Sequence, residues 1–403
     1  MLVAALESPA HCLRSFFRKR IRRSIGLDLG STSVKSVELT WDGKSATLSG
    51  LACAERCPGE ELAETLGRVL GQAGLKGREV TMAVGGRGVL VRYVPMPKAS
   101  DAELRQAMPF EAERLLPLDL EEMRLDYQVL GPRMDGNGQE TEEVSVLLAA
   151  CRRDEVLERI ELARGRGLVP GVVDVELFAV VNAWERVASG LIEEAESEDP
   201  DESAEGVAVD TERAEPGPEN PDATPRGLPE AEPAGSARQS ACVALVDMGA
   251  ERTTISVVTA GTPCFSREIG LGGADLTQVV ARALGLGSEE AEVLKRSPGE
   301  RIGELRAATG GVLEDLGHEL AHSLDYVEHN EGRPVEAVWI SGGGSRAPGV
   351  IDWLGEVLAR PVRAWDPLAG LDLADDARGM ADLESWRDSL AVALGLAWRG
   401  LDT

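Results

Sequence analysis

Positive charge is what this 403-residue chain most lacks: 42 Lys and Arg stand against 69 Asp and Glu, a formal net charge of −27. Phosphate contacts along a duplex need clustered cations, so wrapping nucleic acid is excluded. Cysteine is sparse too. Its six copies, Cys12, Cys53, Cys57, Cys151, Cys242 and Cys264, are scattered without the density of a secreted disulfide scaffold. Cys53 and Cys57 have no second close pair, which leaves out a structural zinc site. Reduced thiols are expected. No apolar run has the length of a membrane span. The N-terminus does not read as a signal peptide, because its basic cluster follows its apolar residues. That cluster, Leu13-Arg-Ser-Phe16-Phe17-Arg-Lys-Arg-Ile21-Arg-Arg23, mixes aromatics with cations, which suits an anionic membrane surface. A solvated tail is the other reading of it.

Residues 193–240 lack anything that could form a core. Residues 193–238 alone hold 15 Asp or Glu against three Arg, close to half the net excess, and the whole stretch carries seven prolines. A flexible acidic linker is the expectation. On either side the periodicity is that of an α/β protein. Three strands, the last over 46–54, are followed by a helix over Glu60–Ala73, strands over Val80–Val84 and Val89–Val94, and a capping box at Ser100-Asp-Ala-Glu103. Pro109 should kink or interrupt the helix that this box opens. Strands over 126–129 and 143–151, a helix over 153–165, a strand over Val172–Val175 and a helix over Glu176–Ser189 complete the half. The strand triplet restarts at Cys242. Helices follow over 276–284, 288–296, 312–329 and 349–359, with a strand over 337–340 and a closing helix from Trp386. Two α/β halves with a cleft between them are implied.

The strongest functional signal is a device that occurs twice, its acids 219 positions apart. Ile25-Gly-Leu-Asp28-Leu-Gly30-Ser31-Thr32-Ser-Val-Lys35 and Val243-Ala-Leu-Val-Asp247-Met-Gly249-Ala-Glu-Arg252-Thr253-Thr254 each run strand, Asp, Gly, polar turn, strand. Such a hairpin sets an acid beside a bend of free backbone N–H groups. Asp28 and Asp247 are expected to hold Mg²⁺, which keeps several waters and needs few protein ligands. Gly30 and Gly249 let backbone approach phosphate. Ser31, Thr32, Arg252, Thr253 and Thr254 offer donors, and Lys35 can neutralise phosphate charge. A third element, Val338-Trp-Ile-Ser-Gly342-Gly343-Gly344-Ser345-Arg-Ala-Pro-Gly349, runs from a strand through glycines to a helix. A flat ring system could lie on its bare backbone, although tight strand-to-helix turns need glycine anyway.

The paired hairpins and the Gly342–Ser345 loop resemble the two phosphate loops and the adenosine loop of the actin-like ATPase superfamily. More narrowly, the chain resembles the PilM family of type IV pilus assembly, on an FtsA-like branch. This narrower likeness rests on Ala102-Glu-Leu-Arg-Gln-Ala-Met-Pro-Phe-Glu-Ala-Glu-Arg-Leu-Leu-Pro-Leu118, Val173-Asp-Val-Glu-Leu-Phe-Ala-Val-Val-Asn-Ala183, Phe265-Ser-Arg-Glu-Ile-Gly-Leu-Gly-Gly273, Glu290-Ala-Glu-Val-Leu-Lys295 and Ala391-Val-Ala-Leu-Gly-Leu-Ala397. The resemblance spans about 18–192 and 241–400. It implies a two-lobed actin-like ATPase fold of class α/β, with duplicated ribonuclease-H-like subdomains and a small inserted α/β subdomain. The expected divisions are a basic amphipathic tail at 1–23, lobe I at 24–192 with the insertion near 96–150, the linker at 193–240, lobe II at 241–385, and a helix at 386–403 returning to lobe I.

The resemblance also implies ATP and Mg²⁺ as cofactors, with Asp28 and Asp247 at the metal and Lys35 beside the phosphates. Gly273 joins the binding residues, and Glu292 and Lys295 fall where a Glu-x-x-Lys pair grips ribose. Glu176 matches an acid near the attacking water, and equally reads as a first-turn acid favoured by the helix dipole. ATP binding with at most slow ATPase turnover is expected. Met248 and Ala250 give the second loop less hydroxyl chemistry than the first. The implied partner is the cytoplasmic tail of a PilN-like inner-membrane protein, taken as an extended peptide in a groove, together with other pilus components. Placement is then cytoplasmic and peripheral at the inner membrane. A small-molecule kinase and an FtsA-like membrane-tethered filament protein are the alternatives. His318-Glu-Leu-Ala-His322 matches the H-E-x-x-H zinc motif. Both His lie about 200° from the apolar stripe of their helix and should face solvent.

Overall fold

The computed structural model describes residues 21–57, 59–116, 119–134, 139–198, 241–375 and 383–402. The basic tail through residue 20 and the acidic linker from 199 to 240 lie outside the described residues, whereas Arg22 and Arg23, expected in the tail, belong to a strand and residues 193–198, expected in the linker, continue a helix.

The first half runs β1 (Arg22–Leu29), β2 (Ser33–Trp41), β3 (Ala46–Glu55), α1 (Leu62–Gln72), β4 (Glu79–Val84), β5 (Val89–Pro97), α2 (Asp101–Leu115), β6 (Met123–Met134), β7 (Glu140–Arg152), α3 (Arg153–Gly165), β8 (Val169–Val175) and α4 (Glu176–Glu198). The second runs β9 (Cys242–Met248), β10 (Thr253–Thr259), β11 (Thr262–Ile269), α5 (Gly273–Leu284), α6 (Ser288–Arg296), α7 (Ile302–Glu331), β12 (Ala337–Ser341), α8 (Val350–Leu358), β13 (Val362–Ala364), β14 (Asp372–Leu373), α9 (Leu383–Trp386) and α10 (Ala391–Asp402).

Two sheets with the same plan face each other. One has the order β14-β3-β2-β1-β4-β8 and the other β11-β10-β9-β12-β13, so each sets an antiparallel triplet beside parallel strands. The triplets are hairpin-connected, as short turns demand, and the parallel neighbours arrive after helices. A third sheet, β5-β7-β6, carries α2 on one face and forms the inserted subdomain.

Three local expectations need correction. Pro109 does not interrupt α2. The proline and Arg105, whose carbonyl loses its partner, are exposed, and Leu104, Met108 and Ala112 anchor the opposite face. The helix expected over 312–329, α7, starts ten residues earlier, at Ile302, and runs unbroken through Gly310 and Gly311, because Leu305, Leu313, Leu316, Leu320 and Leu324 bury one continuous side of it. The closing helix begins at Ala391 rather than Trp386. Residues 387–389 form a tight turn whose Asp388 carbonyl accepts the Gly342 N–H at 2.8 Å.

Residues 391–397 of α10 are buried on every side, as in a helix that is apolar all round. Lobe I's β1 lies under it and α4 crosses it. The approach needs glycine on both sides. A methyl on Gly26 would overlap the Ala393 carbonyl oxygen, and one on Gly395 would overlap that of Ala179. The core that results runs through both lobes. Trp184 of α4 lies 5.1 Å, ring to ring, from Trp339 of β12 and 5.5 Å from Trp365. No described helix is long and apolar enough to cross a membrane.

Candidate functional site

Asp28 is the penultimate residue of β1, and the register of the β1–β2 hairpin sets Lys35 directly across from it. The ammonium donates to Asp28 Oδ2 at 2.7 Å, with both side chains buried. Burial pulls the Lys35 ammonium down, but Asp28, with Asp247 behind it, outweighs burial and holds it above its ordinary value. The turn at Gly30, Ser31 and Thr32 is pinned by Arg56, whose guanidinium donates to the Ser31 carbonyl at 2.8 Å. A methyl on Gly30 would stand 2.9 Å from the Ser33 carbonyl oxygen, so the tight turn itself requires glycine, and only ordinary contact separates it from Asp28 Oδ1 and Lys35 Nζ at 3.8 and 3.9 Å.

Asp247 is likewise the penultimate residue of β9 in lobe II and accepts a hydrogen bond from Ser341 Oγ at 3.0 Å. Burial pushes its carboxyl from 3.8 up to about 6; Ser341 and Lys35 pull it down, while Asp28 and Glu176 push it further up. The two hairpin acids are therefore within electrostatic range of each other, of Lys35 and of Glu176. Because the folded value exceeds the unfolded one, the protonated Asp247 stabilises the fold. That contribution is complete below about pH 4 and lost as pH rises through about 6. At pH 8 Asp247→Asn should raise the unfolding free energy by about 2 kcal/mol. Urea melts from pH 4 to 8 check this, and the variant's profile should be flatter than that of the unaltered chain over that window.

The other expected residues divide by what they already hold. Gly249 accepts the Gly273 N–H at 2.9 Å, so the start of α5 is tied to the second turn. Thr253 Oγ1 donates to the Leu271 carbonyl at 2.7 Å and Ser345 Oγ to the Gly342 carbonyl at 2.7 Å; both hydroxyls are turned into the protein. Lys295 spends its donors on the Gly273 carbonyl, Thr277 Oγ1 and Glu292 Oε2, at 2.9, 2.9 and 2.7 Å. Thr277 donates in turn to Glu292. Burial lowers Lys295's affinity for its proton and Glu292 restores only part. Gly342 has φ +93°, and a side chain there would enter the Met248 backbone. Gly344 also packs on Met248, whereas a Cβ on Gly343 would meet nothing within 4 Å. Close packing thus accounts for two of the three glycines, and Gly343 supplies open backbone.

Glu176 is half-buried at the start of α4 and bound by an Arg252 guanidinium nitrogen at 2.7 and 3.0 Å. Burial pushes its carboxyl up, and the guanidinium opposes this without cancelling it. Arg252 Nε also lies 3.4 Å from Glu268, whose carboxylate accepts the Gly86 N–H at 2.8 Å. Nearer the surface, Arg296 bridges Glu292 and Glu55, each at 2.8 Å, and so joins α6 to β3. Sequence reading named Glu176 and Arg252 separately and missed their pairing, along with Glu268, Thr277, Ser341 and the Glu55–Arg296 bridge. These contacts join elements from different lobes or distant turns, which leaves no local spacing to find.

Three acids (Asp28, Glu176, Asp247) lie within electrostatic range of one another, and the two hairpin acids of Lys35, though not close enough together to form a three-ligand group, and Arg252 joins Glu176 to Glu268. An oxygen-rich group with surplus negative charge fits a hard divalent cation, and Asp247, which no cation touches, fits best as its ligand. Away from it, a cavity of about 150 Å³ opens on lobe II between α7 and α8, beside Arg306 and Trp353, and includes none of the expected site residues. His318 and His322 are exposed, and no group of three metal-ligating side chains occurs among the described residues.

Comparison with known proteins gives a consistent result. The model of the family described as type IV pilus assembly protein PilM matches residues 26–199 and 229–401. A solved PilM–PilN type IV pilus biogenesis complex superposes with a TM-score of 0.71 at 27% identity, covering 94% of this chain and 99% of that one. The ethanolamine utilization protein EutJ of Escherichia coli is 31% identical over 108 residues, which are 27% of this chain and 36% of that protein. MreB 5 of Spiroplasma citri bound to AMPPNP superposes at 0.42 with 11% identity, over 93% of this chain and 94% of that one. The two-lobed α/β arrangement is the one that superposes on the PilM–PilN structure.

Proposed function

The chain belongs to the family of the type IV pilus assembly protein PilM, and from that premise we propose that it is an ATP- and Mg²⁺-binding scaffold of the pilus machine. The convergence of Asp28 with its Lys35 and of Asp247 from the opposite lobe carries this reading. Asp247 and Asp28 would hold the metal, directly or through water, and Mg²⁺ would supply neutralisation of phosphate charge. Lys35 binds the phosphates from lobe I. The bare backbone at Gly30 and Gly249 admits them closely, and Gly343 offers open backbone to the base. Glu292, held in place by Lys295, orients the ribose. Occupancy of the cleft fixes the angle between the lobes.

The inserted sheet follows that angle through two cross-lobe contacts, Gly86 N–H to Glu268 and Tyr93 Oη to Ser266 Oγ at 2.9 Å. A groove beside the insertion takes the cytoplasmic tail of a PilN-like inner-membrane partner as an extended peptide. This places the protein at the cytoplasmic face of the inner membrane, joined to further pilus components. A scaffold requires occupancy more than turnover.

Calorimetric titration of the full chain tests both parts. Mg·ATP should bind with a Kd of about 1–100 μM, and a synthetic PilN-type tail should bind with a Kd that changes when nucleotide is present. Failure to bind Mg·ATP sinks the nucleotide reading. Phosphate transfer to a panel of metabolites, with no tail binding, would favour a kinase instead.

A further inference from the structure

Arg252 is the only residue of the second hairpin turn that the structure commits across the cleft among the described hydrogen bonds and ion pairs. Its guanidinium holds Glu176 of lobe I on one side and Glu268 of lobe II on the other. Glu268 in turn grips the Gly86 N–H of lobe I, so four groups close a circuit over both lobes. The floor of that circuit is built for it. Gly85 has no side chain, and a methyl there would enter the Glu176 carboxylate. Gly86 has φ +96°, and a methyl on it would stand 3.0 Å from Arg252 Nη1. Glu176 meanwhile lies within electrostatic range of both hairpin acids, where a carboxylate could meet water beside a bound polyphosphate.

We propose that Arg252 is a positioning residue that clamps lobe II onto lobe I and, by engaging both oxygens of Glu176, makes the cleft one that retains ATP and cleaves it slowly. This rests on the nucleotide reading above and adds the control of turnover within the same site. In hydrolysis a water oxygen bonds to the γ-phosphorus. The bond to the bridging oxygen breaks, its electron pair staying on ADP, and the water proton passes to a carboxylate. A guanidinium that engages both oxygens of Glu176 holds its proton affinity below what burial alone would give and keeps those oxygens turned away from the water. Releasing Arg252 frees Glu176 to take it.

The test uses the full chain and three variants, Arg252→Ala, Arg252→Lys and Arg252→Ala/Glu176→Gln. Nucleotide affinity, single-turnover ATP hydrolysis, and exchange of the Gly86 amide without nucleotide are each measured. In Arg252→Ala, hydrolysis should rise at least about tenfold, with Kd for Mg·ATP within about threefold of the unaltered chain. Gly86 exchange should quicken, since its acceptor Glu268 loses its hold. Lysine, which cannot bridge both acids, should fall between. The double variant should return to the slow rate or below it. Unchanged hydrolysis in Arg252→Ala, or a gain that survives in the double variant, overturns the control of Glu176. A Kd weakened more than about tenfold makes Arg252 a phosphate ligand and also overturns it. Should the unaltered chain take up no nucleotide, the nucleotide reading fails and the control of turnover falls with it. The exchange measurement needs no nucleotide and decides the clamp by itself, so the two failures are told apart.

Discussion

Gly395→Ala should lower the unfolding free energy by at least about 4 kcal/mol, or leave the chain insoluble. The added methyl would overlap a backbone oxygen, that of Ala179 in α4. A flexible side chain could turn away, but a helix carbonyl cannot move without the helix. α10 would have to lift from α4, and from β1 as well, since Gly26 brings that strand equally close to Ala393. Lifting it opens the densest part of the core, where residues 391–397 are all buried. The fitting control is Gly310→Ala or Gly311→Ala in α7, where an added methyl meets nothing within 4 Å. Those changes should be neutral or stabilise by up to about 1 kcal/mol, because alanine is the better helix former. Denaturant melts of the three variants decide it. Equal stability at 310 and 395 would show that the helix crossing is not as tight as described.

The second large effect concerns the site itself. Asp28→Asn combined with Asp247→Asn should weaken Mg·ATP binding more than about a hundredfold, roughly 2.7 kcal/mol. Asparagine keeps the shape of each acid and removes the charge that a divalent cation requires. Lys35 would then sit buried without its counter-charge, which works against folding. Relief of the half-buried, desolvated Asp247 carboxylate works in its favour at neutral pH. The two changes oppose one another, so the double variant should remain folded and lost affinity will not be lost structure. Far-UV circular dichroism beside the titration checks that point. Unchanged affinity in a folded double variant would remove both acids from the nucleotide site.

The parts of this architecture visible in the sequence are those set by local spacing. Asp28 and Lys35 are seven apart across a tight hairpin, so strand alternation alone puts them opposite each other. The repeat at Asp247 is legible for the same reason, as is the Ser100–Glu103 capping box. Where reading failed, packing decided. Pro109 and the Gly310-Gly311 pair look like helix breakers, and both are overruled by an anchored apolar face. Gly395 looks like a weak point in a helix, whereas it is where two helices touch. Arg252 and Glu176 are 76 residues apart, and only the closing of the lobes brings them together.

The path of the chain through the lobes has a consequence for how the protein is made. β1 and α4 belong to the first half of the chain, yet the helix that covers them, α10, follows the whole of lobe II. A polypeptide leaving the ribosome can therefore finish lobe II while lobe I still shows water an apolar sheet face. During translation that exposed face is the target for chaperones or for misassembly. Premature termination before residue 391 would strand lobe I without its cover, however complete the nucleotide hairpins already are.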